Sequence, residues 1–187
     1  MHTRNERDSI IEGVTALEVY ELTTQGGGSD FATMIAVCQA LGDYCLIGGL
    51  AVNCFVEPVY TLDADMVIVA DRVPELARLL RERGFEVEVY AHSLNARAGS
   101  NLRVQFTTDE RYQEFLSRSV EREVLGMRVN VACLEDVTRG KLWAWGDPQR
   151  RFSKRKKDEL DLIRLAEAYP ELKAWYPESL RAQITDE

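Results

Sequence analysis

Two aspartates separated by a single residue, Asp63 and Asp65, are the side chains of this sequence best suited to holding a metal ion. They lie in residues 61–69, a segment rich in β-forming residues that is therefore predicted to be a strand. On a strand, side chains two positions apart point to the same face, about 7 Å apart along the chain. Two carboxylates in that arrangement can hold Mg²⁺ or Mn²⁺, because these cations prefer oxygen ligands.

Thirteen residues separate a pair of glycines, Gly48 and Gly49, from the first aspartate. An apolar run at 44–47 predicts a strand before the glycines, and residues 50–56 fit a short helix that Pro58 ends. Because glycine has no Cβ, backbone N–H groups at such a turn can approach a phosphate closely. Phosphate at the glycines and metal at the aspartates would suit metal-assisted phosphoryl or nucleotidyl transfer. The alternative is an ordinary strand–helix–strand turn with two surface aspartates.

A second set of charged residues lies on a helix predicted at 153–169. Lys154, Asp158 and Asp161 lie at the edge of its apolar face, and a buried charge without a partner is costly. These side chains are therefore predicted to pair with each other, with Lys141 or with a ligand. The alternative is a network of ion pairs between residues four apart on the same helix: Lys154 with Asp158, and Lys157 with Asp161.

The basic residues are concentrated in one run. The formal net charge of −8 argues against a protein that coats nucleic acid broadly. Six of the eight residues from 150 to 157 are Lys or Arg, which indicates a local anionic ligand, either a triphosphate or an RNA backbone. An RNA or another acidic acceptor is predicted to dock at five of these residues: Arg150, Arg151, Lys154, Arg155 and Lys156. The alternative for Arg150, Arg151, Arg155 and Lys156 is a solvated basic face.

Length and composition indicate a soluble protein. The chain has 187 residues, enough for one domain with a substantial core. No apolar run reaches about 18 residues, and the charged N-terminus lacks the apolar region of a secretory signal, so no membrane association is predicted. The four cysteines form no Cys-x-x-Cys pair, and the two histidines do not favour a zinc site. We therefore expect a cytoplasmic protein with reduced thiols.

The other elements are predicted from hydrophobic periodicity. Further strands are predicted at 85–90, 102–107 and 127–132, with 91–100 as a loop. Further helices are predicted at 9–24, 31–41, 74–83, 111–124 and 134–145. The chain would then divide into an N-terminal helix with a Gly-rich break (1–29), a central domain with a mixed sheet (30–170) and a frayed C-terminal tail (171–187).

The order of strand, Gly-Gly, helix and Asp-x-Asp strand resembles the signature of the nucleotidyltransferase superfamily. The sequence looks closest to the abortive-infection (AbiEii-like) toxin nucleotidyltransferases of type IV toxin–antitoxin systems and their uncharacterised relatives. The resemblance implies an α+β fold, in which helices pack on a nucleotidyltransferase-like mixed β-sheet and further helices lie at the C-terminus, over roughly residues 40 to 170. It also implies a nucleoside triphosphate substrate, Mg²⁺ or Mn²⁺ as cofactor, an RNA or protein acceptor, and an antitoxin-like protein partner.

The same resemblance implies roles for individual residues. Asp63 and Asp65 would hold the metal and would act in catalysis together with Lys157 and Asp158. The nucleotide would contact six further residues: Gly48, Gly49, Thr61, Gln105, Lys141 and Asp161. The match in the C-terminal half rests on a Lys, a Lys-Asp pair and a later Asp that these proteins commonly carry: Lys141, Lys157-Asp158 and Asp161.

Two positions depart from the pattern of this family. Val59 lies where related proteins often carry Arg, and Gln105 lies where active members usually place a third carboxylate. A glutamine offers a neutral oxygen to Mg²⁺, but it cannot act as a general base or neutralise the charge of the metal. Glu86 or Glu88 on the neighbouring predicted strand is the alternative third acid.

Three functions therefore compete. The first is an Mg-dependent enzyme that transfers a nucleoside monophosphate from a triphosphate to an RNA or protein acceptor, as in toxin–antitoxin systems. The second is a catalytically weakened protein of the same fold that binds nucleotide or regulates a partner, which Gln105 favours. The third is an RNA-binding module that uses only the basic run at 150–157.

Overall fold

The fold is built on a mixed β-sheet whose central strands carry the two aspartates. The computed structural model describes residues 16–184, and within that range the sheet has seven strands: β1 (Tyr44–Ile47), β2 (Asp63–Ile68), β3 (Glu86–Val89), β4 (Ser93–Arg97), β5 (Arg103–Thr107), β6 (Val120–Val124) and β7 (Met127–Val131). Their order is β3-β4-β5-β2-β1-β7-β6. The β2–β5 and β1–β7 pairs are parallel, and the other neighbours are antiparallel. The predicted α+β class with a mixed sheet is confirmed.

Helices connect and cover these strands. Eight α-helices are described between residues 16 and 184: α1 (Ala16–Thr24), α2 (Gly27–Leu41), α3 (Gly48–Val52), α4 (Val73–Glu82), α5 (Glu110–Ser117), α6 (Leu134–Gly146), α7 (Phe152–Ala168) and α8 (Glu178–Arg181). Short 3₁₀ helices precede α4 and α8, at Ala70–Arg72 and Pro170–Trp175. Within the described range, none of the helices has the length and apolar character needed to cross a membrane.

One half of the sheet has a buried face and an open face. In β5, Val104 and Phe106 are buried, whereas Arg103 and Gln105, which alternate with them, are exposed. The buried face joins the core that includes Leu76 and other apolar side chains of α4. Partners across adjacent strands point to the same face, and β2 pairs in register with β5. The two aspartates of β2 therefore lie on the open face.

The open face ends at β1, which is covered on both sides. Its consecutive residues Tyr44, Cys45 and Leu46 are all buried, which explains why this strand appears in the sequence as an apolar run without alternation. Helix α5 contacts both β1 and β2, and its Phe115 is buried there. The aspartates consequently lie where the covered half of the sheet meets the open half.

The segment 91–100, predicted as a loop, contains β4. This strand alternates, because Leu94 and Ala96 are buried while the residues around them are more exposed. Only two apolar positions mark it, separated by Asn95, so its composition does not identify a strand. β4 pairs with both β3 and β5 and therefore lies between two strands that the sequence had left adjacent.

The helix predicted at 111–124 is wrong in its second half. α5 ends at Ser117, and the residues from Val120 to Val124 form β6, which is the outer strand of a hairpin with β7. The turn places Leu125 and Gly126 at φ values of 49° and 77°. Two positive φ angles suit a tight two-residue hairpin, but leucine is uncommon in that region, so the sequence carries a weak turn signal.

The break between the two N-terminal helices is shorter than the sequence predicted. α2 begins at Gly27 rather than at residue 31, because only Gln25 and Gly26, at φ values of 57° and 100°, form the turn that separates α1 from α2. Asp30 lies in the first turn of α2, and its Oδ2 accepts a hydrogen bond from the backbone N–H of Ser100 at 3.2 Å. The predicted helix start at residue 9 and the charged N-terminus lie outside the described residues.

The C-terminal tail is packed up to residue 184, so the prediction of a frayed tail is wrong there. Leu172, Tyr176 and Leu180 are buried, and the Tyr176 hydroxyl donates to the carbonyl oxygen of Leu162 at 2.8 Å. These apolar residues are four positions apart, a periodicity that the polar ending of the sequence obscures. Residues 185–187 lie outside the described range, and the division of the chain at residues 29 and 170 stays a prediction.

Candidate active site

The open face of the sheet forms the floor of a cleft of about 560 Å³. Helix α6 and the beginning of α7 form its other side. The sheet contributes Asp63, Asp65 and Gln105 together with two arginines, Arg97 and Arg103, and the helical side contributes Lys141, Arg150 and Lys154. The cleft thus brings together strand residues from the range 63–105 and residues from the range 141–154.

Asp63 lies between two cations. Its Oδ1 forms an ion pair with Nε of Arg103 at 2.9 Å, and its Oδ2 accepts a hydrogen bond from Nζ of Lys154 at 2.6 Å. Burial alone would raise the pKa of Asp63, but the hydrogen bond from Lys154 and the charges of Lys154, Arg103 and Lys157 outweigh burial and lower this pKa. Asp63 is therefore held as a carboxylate.

The pKa of Asp65 shifts in the opposite direction from that of Asp63. Burial raises the pKa of its carboxyl group, and the charge of Asp63 raises it further, against the lowering effects of Lys141, Arg150 and Lys154. No side-chain ion pair holds Asp65 within the described part of the chain. A bound divalent cation would relieve both the burial cost and the repulsion between the two aspartates.

Gly48 is required by the position of Asp65. Its φ is +72°, and a Cβ built on it would lie 2.2 Å from Oδ2 of Asp65. Gly49, in contrast, has room for a methyl group, because the nearest atom to its Cβ position would be Oγ1 of Thr61 at 3.5 Å. Of the two predicted nucleotide-binding glycines, only Gly48 is therefore constrained by both backbone conformation and space.

We expect Gly48→Ala to abolish metal-dependent nucleotide binding and to lower the unfolding temperature. The methyl group would push the Asp65 carboxylate out of place and would strain the backbone at a positive φ. Gly49→Ala is the matched control for stability, because an alanine inside α3 fits and favours the helix by up to about 1 kcal/mol. Differential scanning fluorimetry with and without Mg²⁺ and nucleotide measures both effects. Unchanged nucleotide binding by Gly48→Ala would mean that Asp65 is not needed where it lies.

Lys141 is a buried cation held by two buried carboxylates. Its Nζ lies 2.9 Å from Oδ1 of Asp158 and 2.7 Å from Oδ2 of Asp161. Burial alone would lower the pKa of Lys141, but the charges of Asp161 and Asp158 raise it, so the ammonium group stays charged. Arg150 completes the cluster, because its Nε donates to Oδ2 of Asp158 at 2.6 Å, and Arg164 bonds Asp161 at 2.9 Å.

Two lysines of α7 contact other parts of the chain. Lys154 pairs with Asp63 rather than Asp158, and Nζ of Lys157 donates to Oγ1 of Thr61 at 3.1 Å rather than pairing with Asp161. The alternative of an internal i,i+4 network is therefore wrong. Periodicity along a helix identifies residues that could pair with each other, but it does not indicate which charged residues other elements bring close.

The basic run does not form one continuous surface. Arg150 and Lys154 line the cleft, and Nε of Arg155 donates to the carbonyl oxygen of Trp145 at 2.9 Å. Lys156 pairs with Glu159 at 2.6 Å. The interpretation as a solvated basic face is therefore wrong for Arg150 and Arg155. An acidic acceptor was predicted to dock along the whole run, but the side chains of these residues point in different directions.

Gln105 lies beside Asp65 in the register of the parallel β2–β5 pair and lines the same cleft. Glu86 and Glu88 line it too, but they lie on β3, three strand spacings from β2. That distance is about 14 Å at 4.8 Å per strand, which is too far for either to share a metal ion with Asp65. The neutral position at Gln105 is therefore not compensated by the acids of β3.

Arg103 is a site residue that the sequence reasoning missed. It pairs in register with Asp63, as Gln105 does with Asp65. The period-two alternation of β5 puts Arg103 on the same face as Gln105, so the sequence carried the signal, but the family resemblance implied only an acid on this strand. Arg150 was missed as a cleft residue for a different reason: its inward direction depends on the turn between α6 and α7.

Asp63 and Asp65, which share the floor of the cleft, are the carboxylates that could hold a metal ion here. Between residues 16 and 184, no cluster of three or more His, Cys, Asp or Glu side chains has the geometry of a metal site. Two carboxylates fit Mg²⁺, which is commonly bound by one or two protein carboxylates together with substrate phosphates. Lys154 would have to leave Oδ2 of Asp63 to make room, and its side chain is about one-third exposed.

No protein-family model matches the sequence, and no curated protein matches it. Among solved structures, the fold is similar to the antibiotic-resistance factor ANT(2″)-Ia, with a TM-score of 0.58 and 17% identity over 83% of this chain and 89% of that one. It is also similar to the lincomycin-bound lincosamide antibiotic adenylyltransferase LnuA (TM-score 0.52, 13% identity, 83% and 98% covered). A third is an antigenic nucleotidyltransferase-like protein from Paracoccidioides brasiliensis (TM-score 0.52, 21% identity, 81% and 83% covered).

These similarities concern the fold, because the identities of 13 to 21% are low. Coverage of more than four-fifths of this chain extends them well beyond the two aspartates. They do not support the AbiEii-like toxin subgroup over other nucleotidyltransferases. The chain therefore has the nucleotidyltransferase-like fold that its glycine and aspartate pattern predicted.

Proposed function

We propose that this protein transfers a nucleoside monophosphate from a nucleoside triphosphate to a hydroxyl group of an acceptor, with Mg²⁺ or Mn²⁺ as cofactor. One observation carries the proposal: Asp63 and Asp65 share a cleft with Lys141, Arg150 and Lys154. Carboxylates for a divalent cation beside cations for phosphate oxygens are the parts that phosphoryl transfer chemistry needs. The cytoplasm, where nucleoside triphosphates are available, is the location that suits this activity.

The roles follow from burial and partners. Asp63 and Asp65 would hold the cation, which would neutralise charge on the phosphates and orient them. Lys154, which is about one-third exposed, would move from Asp63 to a phosphate oxygen. The acceptor oxygen would form a bond to the α-phosphorus, the bond to pyrophosphate would break, and the hydroxyl proton would be released.

The other predicted site residues would bind the nucleotide or hold neighbouring groups in position. The backbone of Gly48 and Gly49 would contact the triphosphate, and Gln105 would donate or accept a hydrogen bond beside Asp65. Lys157 would hold Thr61, whose hydroxyl it contacts at 3.1 Å. Three buried charges would fix the helical side of the cleft: Lys141, Asp158 and Asp161.

The volume of the cleft supports a small-molecule acceptor. Pockets for small molecules measure roughly 300–1,000 Å³, and this cleft has about 560 Å³. Structures of similar fold contain lincomycin in LnuA and adenylyl-2″-tobramycin in ANT(2″)-Ia. An RNA or protein acceptor, with an antitoxin-like partner, is the competing proposal, but the scattered directions of the basic run support it less.

A second candidate function is a nucleotide-binding or regulatory protein with weak or no transferase activity. The observation that favours it is Gln105, which lies beside Asp65 and provides no third carboxylate. This protein would bind the Mg–nucleotide complex without rapid transfer. It differs from the enzyme in rate, not in the residues that bind the nucleotide.

Thermal unfolding with each of ATP, GTP, CTP and UTP, with and without Mg²⁺, tests the shared part of these proposals. A nucleotide at 100 times its Kd would stabilise the protein by about 2.7 kcal/mol. Asp63→Asn should remove the metal-dependent part, whereas Asp71→Asn, at an exposed acid outside the cleft, should not. Stabilisation that does not depend on Mg²⁺, or that survives in Asp63→Asn, would contradict the proposal.

Release of pyrophosphate then separates the two candidates. Wild-type protein is incubated with the stabilising nucleotide, Mg²⁺ and panels of hydroxyl-bearing small molecules or RNA. Pyrophosphate release that depends on the acceptor identifies a transferase. Metal-dependent binding without release in any panel supports the weakened protein.

A further inference from the structure

The two oxygens of Asp63 are held by cations of different kinds. Arg103 comes from the neighbouring strand and bonds Oδ1, whereas Lys154 comes from the first turn of α7 and bonds Oδ2. Lys154 forms a charge-assisted hydrogen bond at 2.6 Å, and Arg103 forms an ion pair whose atoms are 2.9 Å apart. A divalent cation that binds Asp63 must compete with one or both of them.

Arg103 is the cation that remains paired with Asp63 when a divalent cation binds. Its backbone is fixed by the parallel pairing of β5 with β2, in which it lies directly opposite Asp63. A guanidinium group cannot lose its proton in a protein and is weakly hydrated, whereas an ammonium group is a strongly hydrated point charge on a flexible stem. Lys154 can therefore exchange Asp63 for a phosphate, while Arg103 remains on Oδ1.

The strand that carries Arg103 supplies no acid to the cleft floor. Its cleft-facing residues are Arg103, Gln105 and Thr107, so β5 contributes a positive charge and neutral groups. A second divalent ion would need anionic ligands, but one oxygen of Asp63 is already bonded to Arg103 and Gln105 adds no charge. The charge balance on this side of Asp63 therefore disfavours a second ion.

We propose that Arg103 is a fixed cation that takes the place of a second divalent ion, so that the protein holds one divalent ion per bound nucleotide. This inference rests on the proposed function, because it concerns the ion that accompanies the nucleotide. Arg103 acts through Asp63 and is therefore a positioning residue. Its side chain is 64% exposed and has Asp63 as its partner among the described residues, so its remaining N–H donors are available to a ligand in the cleft.

Counting bound Mn²⁺ tests the inference without measuring turnover. Free Mn²⁺ is followed by electron paramagnetic resonance while it is titrated into protein saturated with an α,β-methylene nucleoside triphosphate, which cannot be cleaved at the α-phosphorus. We expect one tightly bound Mn²⁺ in the ternary complex of wild type, Arg103→Gln and Gln105→Asp. The double variant Arg103→Gln/Gln105→Asp should bind two, because an acid replaces the glutamine and the competing cation is gone.

The matched control is Arg97→Gln/Gln105→Asp. Arg97 is another exposed arginine of the cleft, but it pairs with Glu86 rather than Asp63, so this variant should still bind one ion. Two ions in wild type, in Gln105→Asp alone or in the control would overturn the inference, as would one ion in Arg103→Gln/Gln105→Asp. If wild type binds no Mn²⁺-nucleotide at all, the proposed function fails instead.

A second measurement covers the case in which the double variant does not fold. Arg103→Gln alone removes a positive charge beside a carboxylate that binds the metal, so Mn²⁺ should bind the nucleotide complex about tenfold more tightly, or about 1.4 kcal/mol. Arg97→Gln should leave this affinity unchanged. Equal or weaker binding by Arg103→Gln would contradict the idea that Arg103 competes with a cation.

Discussion

Asp65→Asn should abolish metal-dependent nucleotide binding and leave the metal-free protein at least as stable as wild type. The first effect follows because a neutral amide replaces one of the two carboxylates, and a loss of at least about a hundredfold in affinity is expected when a direct ligand is removed. The second follows because burial and the charge of Asp63 raise the pKa of Asp65, so its ionised form costs stability in the folded protein.

The sign of this effect depends on pH. A carboxyl group whose pKa is higher in the folded protein is penalised once the pH exceeds its unfolded pKa of about 3.9. The penalty is absent below that pH and grows as the pH rises through the folded pKa. The advantage of Asp65→Asn should therefore be absent below the unfolded pKa and should increase as the pH rises above it, when both proteins are free of metal.

Asp63→Asn provides a control of opposite sign. The pKa of Asp63 is lowered, because the hydrogen bond from Lys154 and neighbouring positive charges outweigh burial. Its ionised form therefore contributes stability above the unfolded pKa, and that contribution is lost as the pH falls through the folded pKa. Thermal unfolding of both variants from pH 4 to pH 8 measures the contrast. A large loss of metal-free stability in Asp65→Asn would mean that the pair has a structural role.

Lys141→Met should destabilise the protein by about 3–5 kcal/mol, the usual cost of breaking a buried ion pair from one side. The side chain of Lys141 is 9% exposed and those of Asp158 and Asp161 are 2% and 4% exposed, so solvent cannot replace the lost ammonium group. Arg150 and Arg164 remain to satisfy one oxygen of each aspartate, but they cannot reach both carboxylates from the position of Lys141. Because a domain has only about 5–15 kcal/mol of stability, this loss is severe.

Two variants separate lost charge from lost packing in this experiment. Lys154→Met removes a lysine of the same cleft that is 36% exposed, so it should cost less than about 1 kcal/mol. Lys141→Met/Asp161→Leu removes one of the two uncompensated carboxylates and should recover part of the loss. Urea denaturation gives the free energies of unfolding. Equal losses for Lys141→Met and Lys154→Met would show that burial of the cluster does not set its energy.

The residues that form the floor of the cleft could be predicted from the sequence, because local patterns define them. A two-residue spacing fixes Asp63 and Asp65 on one strand face, and the same alternation puts Arg103 and Gln105 on one side of β5. These patterns do not specify which strands are neighbours in the sheet. The short strand β4 was not predicted. The distance that excludes Glu88 as a metal ligand depends on this strand and therefore could not be predicted either.

The helical side of the cleft was harder to predict, because each of its contacts joins distant parts of the chain. The sequence identified Lys154 as a charge that needs a partner, and helix geometry suggested partners on α7 itself for Lys154 and Lys157. Asp63 and Thr61 became the partners only because the sheet brings β2 under the start of α7. In the same way, Arg150 turns inward because a buried carboxylate, Asp158, lies within its reach.

The separation between those partners has a consequence for synthesis of the protein. The Lys154–Asp63 pair joins residues 91 positions apart, so at 5–20 residues per second β2 leaves the ribosome about 5–20 s before α7 does. During that interval the two aspartates have no cationic side opposite them, and β1 lacks its neighbour β7. Because such long-range pairings also slow folding, the nascent chain should complete the cleft only after α7 has been synthesised, as a late and cooperative event.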